Sequence, residues 1–73
     1  MELRFAKSFE VEYASVTKGN KPLQRRVRKQ LILLQQNPTY PSLRLHKLGN
    51  RRFWSISVDK SIRILLLFEK EWI

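Results

Sequence analysis

The 73-residue chain carries fifteen Lys and Arg against six Asp and Glu, a formal net charge of +9, and has no Cys. These values exclude a multidomain protein, a disulfide-stapled scaffold and a thiolate metal site, and they fit a reducing, cytoplasmic setting. Hydrophobic residues make up 42 % of the chain, enough for one modest core and too many for a disordered segment.

The distribution of charge says more than its sum. No Asp or Glu occurs from Tyr13 through Val58, while Lys18, Lys21, Arg25, Arg26, Arg28, Lys29, Arg44, Lys47, Arg51 and Arg52 all fall in that window. The acids Glu2, Glu10, Glu12, Asp59, Glu69 and Glu71 lie outside it. Such a stretch projects a positive field that suits phosphate backbones, anionic membranes or acidic protein segments. The plain alternative is a solvated surface that keeps the protein soluble. The apolar runs Leu31 to Leu34 and Ile64 to Phe68 are too short to span a bilayer. The first residues lack the apolar run of a signal peptide, so no membrane role is expected.

In chain order, Leu3, Arg4 and Phe5 alternate as a short first strand. Ser8 is a candidate cap for a helix that places Phe9, Tyr13 and Val16 on one face and ends near Lys18 and Gly19. Phe9, Val11 and Tyr13 also alternate like a strand, but the start and stop signals favour the helix. Asn20 and Pro22 open a second helix with an apolar stripe of Leu23, Val27, Leu31 and Leu34, and Asn37-Pro38 closes it. Tight joining of the two helices predicts an antiparallel pair.

After a turn at Thr39 to Ser42, the residues from Leu43 to Leu48 alternate as a strand. Leu43, Leu45 and Lys47 face one way, Arg44, His46 and Leu48 the other. Gly49-Asn50 reads as a turn, then Trp54, Ile56 and Val58 alternate with Phe53, Ser55 and Ser57 in a further strand. Asp59-Lys60-Ser61 turns again, and Ile62 to Phe68 is the most apolar strand, expected to be central. Glu69-Lys70-Glu71 reads as a last turn, with Trp72 and Ile73 starting another strand. The order β-α-α-β-β-β predicts an α+β domain with two N-terminal helices on one face of a mainly antiparallel sheet.

Familiar catalytic signatures are missing from the sequence. With Gly19 and Gly49 as its only glycines, the chain has no phosphate-cradling loop, and one His with one mid-chain Asp makes a dedicated metal site improbable. No cofactor is expected. What remains is basic. RNA is cut without metal when its own 2′-hydroxyl attacks the adjacent phosphate, which needs a base, an acid and cations around the developing charge. His46, between Arg44 and Lys47, is a candidate base or acid, although a lone strand His is more often a plain surface residue. Arg63 interrupts an apolar strand, so it needs either a partner, such as Asp59 or Glu69, or a phosphate. Trp54 alternates with core positions, whereas Phe53 and Tyr40 remain open as base-stacking or packing residues.

The run Asn37-Pro38-Thr39-Tyr40-Pro41-Ser42-Leu43-Arg44-Leu45-His46-Lys47-Leu48, then Phe53-Trp54-Ser55-Ile56-Ser57-Val58, then Ile62-Arg63-Ile64-Leu65, resembles the RelE/ParE superfamily. These are toxins of bacterial type II toxin–antitoxin systems. The likeness extends over nearly the whole chain, including Phe5, Ser8 and Phe9. It implies a single RelE-like domain over residues 1–73 that acts as a ribosome-dependent, metal-independent mRNA endoribonuclease and is neutralised by a cognate antitoxin. The superfamily also contains DNA gyrase inhibitors, and a non-catalytic basic binding protein is a third alternative.

The resemblance places Arg63 on the family's catalytic arginine, His46 and Lys47 where RNase members have basic catalytic or RNA-binding residues, and Arg51 and Arg52 on the basic turn. The basic window adds Arg44, Arg25, Arg28 and Lys29 as candidate RNA contacts. Ile62 stands where the family usually has an aromatic residue, and Ser57 where many members have Arg. The family's last strand, often the source of a His or Tyr acid/base, finds no match after Trp72-Ile73. A truncated last strand predicts weakened catalysis and a sheet edge open to an antitoxin segment or to a homodimer partner.

Overall fold

The computed structural model describes residues 3–49 and 52–68. It is an α+β arrangement of two helices and a three-stranded antiparallel sheet. Helix α1 spans Lys7–Val16 and helix α2 spans Lys21–Gln36. A short 3-10 turn, Pro41–Leu43, leads to strands β1, His46–Lys47, β2, Phe53–Ser57, and β3, Arg63–Leu67.

Helix α2 forms as its residues dictate. The Asn20 side chain accepts a hydrogen bond from the Leu23 N–H at 3.1 Å, and Pro22 sits in the first turn, where its missing N–H costs nothing. Leu23, Val27 and Leu34 are buried, with Leu31 packed partly against them. Gln30 lies on the same stripe and is buried too. Its Nε2 donates to the carbonyls of Ser57 at 2.7 Å and Ser42 at 3.2 Å. One amide thereby satisfies backbone acceptors from two other segments and ties α2 to the sheet.

Helix α1 differs at its start. Ala6 is the N-cap and no side chain caps the helix, so Ser8, two residues further on, lies inside the first turn and does not fill the expected role. Gly19 closes the turn after α1 at φ +71°, a conformation that side chains disfavour. Leu3 to Phe5 forms no strand. Phe5 instead stacks on Phe9, ring centres 5.4 Å apart, and Phe9 stacks on Tyr13 at 6.0 Å. Three alternating residues are too few to fix a strand when an aromatic ladder on the next helix offers a local alternative.

The expected strand from Leu43 is also shorter. Pro41 favours a helical turn, Leu43 enters the core with no exposure, and Arg44 adopts a left-handed conformation at φ 48°, ψ 48°. That residue breaks the strand and leaves only His46 and Lys47 paired.

The sheet order is β1-β2-β3, so among the described strands β2 is the middle one, not the more apolar β3. Tight sequential connections place the sequence-middle strand in the middle of the sheet. Ile56 and Ile64 are cross-strand partners buried beneath α2, with Val58, Leu23, Val27, Leu34 and Leu43 completing the core. The Asp59 side chain pins the β2–β3 turn by accepting from the N–H groups of Ser61 at 2.8 Å and Ile62 at 2.9 Å. The anticipated turn and strand after Phe68 lie outside the described residues.

Candidate nucleic-acid interface

Alternation along the strands divides the sheet. One face carries Ile56, Ile64 and Leu66 toward α2, and the other carries His46, Phe53, Ser55, Ser57, Arg63, Leu65 and Leu67. Register aligns this outer face. His46 is opposite Ser55, Ser55 opposite Leu65, Ser57 opposite Arg63, and Phe53 opposite Leu67.

Arg63 is exposed, and its guanidinium folds back over the sheet. Its Nε donates to the Ser55 hydroxyl at 3.0 Å. Its Nη2 reaches the Arg44 carbonyl at 2.9 Å, the His46 Nδ1 at 3.2 Å and, more weakly, the Ser55 carbonyl at 3.5 Å. The left-handed turn at Arg44 is what accompanies the first of these contacts, because it places that carbonyl beside the sheet face. Nη1 has no partner among the described residues. An arginine offers only donors, so His46 must accept at Nδ1.

Of the two carboxylates anticipated for Arg63, Asp59 does not take that place. Asp59 faces Arg26 instead, at 4.0 Å, and Glu69 lies outside the described residues. Among the described residues Arg63 is held by one hydroxyl, backbone carbonyls and one imidazole, and no carboxylate pairs with it.

The other candidate residues divide by surface. Lys47 is opposite Trp54, on the α2 side of β1, so strand alternation separates it from His46 and Arg63. Arg44 contributes its carbonyl, and its exposed side chain leaves from the turn ahead of β1. Arg52 is exposed immediately before β2, and Arg51 lies outside the described residues. Arg25, Arg28 and Lys29 are exposed on α2, behind the face that α2 covers. The helix cluster and the Arg63 cluster are therefore separate basic surfaces.

Ser55 is the member of the site that sequence reasoning overlooks. It is buried to 1 % exposure beneath Arg63. The available signal was its place on the outer face, one cross-strand diagonal from Arg63. Beyond this cluster, the outer face is apolar. Phe53 is 44 % exposed and Leu65 65 %, and they line an open hollow of about 590 Å³ with Leu48 and Gly49. Among the described residues no helix is long and apolar enough to cross a membrane.

Comparison with protein-family models, curated proteins and solved structures finds no match to this chain.

Proposed function

We propose that this protein is an RNA-directed toxin of the RelE/ParE type, cutting mRNA on the ribosome by the RNA's own 2′-hydroxyl and held in check by an antitoxin. The observation that supports this reading is Arg63, pre-positioned on an open sheet face beside His46, with one edge of its guanidinium unpartnered among the described residues. Arg binds phosphate through paired N–H groups, and a positioned arginine loses little freedom on binding. The acid-free window from Tyr13 to Val58 supplies the long-range attraction.

The chemistry follows from the contacts. A phosphate arriving at Arg63 competes for the Nη2 donor that now occupies His46 Nδ1. Release of that nitrogen gives a neutral imidazole lone pair able to take the 2′-hydroxyl proton. The 2′ oxygen attacks phosphorus, the bond to the 5′ oxygen breaks, and the imidazolium returns the proton through water to the departing oxygen. The products are a 2′,3′-cyclic phosphate and a 5′-hydroxyl. Arg63 stabilises the charge that builds on the phosphate oxygens. Arg44 and Arg52 guide the strand. Lys47, on the other side of β1, takes no part in proton transfer in this scheme. Among the described residues β3 pairs on one side only, and an antitoxin segment adding a strand there would cover the neighbouring site.

A translation extract with a reporter mRNA tests the proposal. Cleavage at ribosomes is expected, falling about 10²- to 10³-fold in Arg63→Ala and about 10²- to 10⁴-fold in His46→Ala. Intact mRNA combined with arrested gyrase supercoiling would replace this reading with gyrase inhibition. Intact mRNA with strongly salt-dependent RNA binding would reduce it to a binding protein.

A further inference from the structure

We propose that the outer sheet face carries a base-binding subsite next to the phosphate site, formed by Leu48, Gly49, Phe53 and Leu65, which makes the preferred ligand an unpaired RNA strand. The inference rests on the RNA reading above and specifies which form of RNA that surface takes.

Side chains on the outer face form three rows across the strands. Ser57 and Arg63 make the first, His46, Ser55 and Leu65 the second. The third contains Phe53 and Leu67, with Leu48 joined to Phe53 by a backbone hydrogen bond of 3.0 Å. Rows are two residues apart along a strand, roughly 6.6–6.8 Å. The guanidinium of Arg63 reaches the Ser55 hydroxyl and His46 Nδ1, so it lies over the second row. A phosphate held there is one row from the Phe53 ring, a step of the size a ribose spans between its phosphate and its base.

The hollow at that end is apolar, open and about 590 Å³ in volume, ample for a planar base against Phe53. An isolated apolar hollow would not identify its ligand. This one adjoins an arginine that meets no carboxylate among the described residues, in a chain of net charge +9, which favours a partner alternating anionic and flat apolar groups. The hollow opens on the sheet face rather than along a strand edge, where an added peptide strand would find its hydrogen bonds. Bases in a duplex already have both faces stacked, so only an unpaired base can lie on Phe53.

Fluorescence anisotropy with three labelled ligands decides the matter: a single-stranded RNA, the same strand with abasic riboses throughout, and a duplex built from it. Wild-type protein should bind the intact strand roughly 5- to 100-fold tighter than the abasic one. Phe53→Ala should remove that difference while leaving the abasic affinity and the slope against salt unchanged, and Phe53→Trp should restore it. Equal loss on both strands, or no loss on either, overturns the base subsite while the RNA reading stands. No salt-dependent binding of any RNA overturns both. Displacement of RNA by an acidic aromatic peptide that loses affinity in Phe53→Ala would assign the hollow to a protein segment instead. Circular dichroism checks each variant's fold, and Leu65→Ala gives a second variant lining the same hollow.

Discussion

Two of the three guanidinium nitrogens of Arg63 are engaged within the protein before any ligand arrives. The Ser55 hydroxyl is the contact that a single substitution can remove cleanly, because the remaining oxygen acceptors are backbone carbonyls. Ser55 is buried, so it touches no ligand and acts as a positioning residue. Ser55→Ala is expected to lower RNA affinity about 3- to 10-fold, the effect of one lost hydrogen bond to a charged group shared among several contacts. Paired measurements of affinity and thermal midpoint check this. The midpoint should move little, since removal of this hydroxyl partner leaves two carbonyls and an imidazole to hold Arg63.

At the scale of elements, the β2–β3 turn depends on one carboxylate. The N–H groups of Ser61 and Ile62 hold the Asp59 carboxyl below its ordinary value of 3.8, against an opposing desolvation and with smaller help from the Ser61 hydroxyl and Arg26. The folded state therefore binds the Asp59 proton less tightly than the unfolded state. The resulting stabilisation is present above the unfolded value and is lost as pH falls through the lower folded one. Melting curves between pH 7 and pH 2 should show part of the acid-induced fall disappearing in Asp59→Asn, which keeps an acceptor in the turn but cannot titrate. The neighbouring element, α2, is fixed differently. Leu34 is 1 % exposed, and the Gln30 amide crosses from helix to sheet, so apolar burial and a satisfied polar link act on the same stripe.

Across the whole molecule, the sheet and its core stand between two basic surfaces. Arg25, Arg28 and Lys29 belong to the α2 side, whereas Arg63 and His46 belong to the opposite sheet face. A short strand bound at Arg63 does not wrap to the helix. The triple variant Arg25→Gln, Arg28→Gln, Lys29→Gln should leave the affinity for an RNA of a few nucleotides within about two-fold at moderate salt, because charges beyond a Debye length of about 8–10 Å are largely screened. The same variant should bind a long RNA less tightly and with a shallower salt slope. Titrations of both RNAs across a salt series read the two effects separately.

Local signals carried much of this into view. The capping Asn20, the four- and three-residue spacing of α2, the alternation of β2 and the outward position of Arg63 are all nearest-neighbour properties, and the sequence determined them. Net charge and its acid-free window needed no structure at all. Tertiary structure alone decided that Leu3 to Phe5 packs beside a helix, that β2 is the middle one of the described strands, and that Lys47 faces away from His46. It alone brought Ser55, Arg44 and His46 onto Arg63, across 8, 19 and 17 positions of the chain. Contacts at such separations depend on register and on the left-handed turn at Arg44, and no local pattern encodes either.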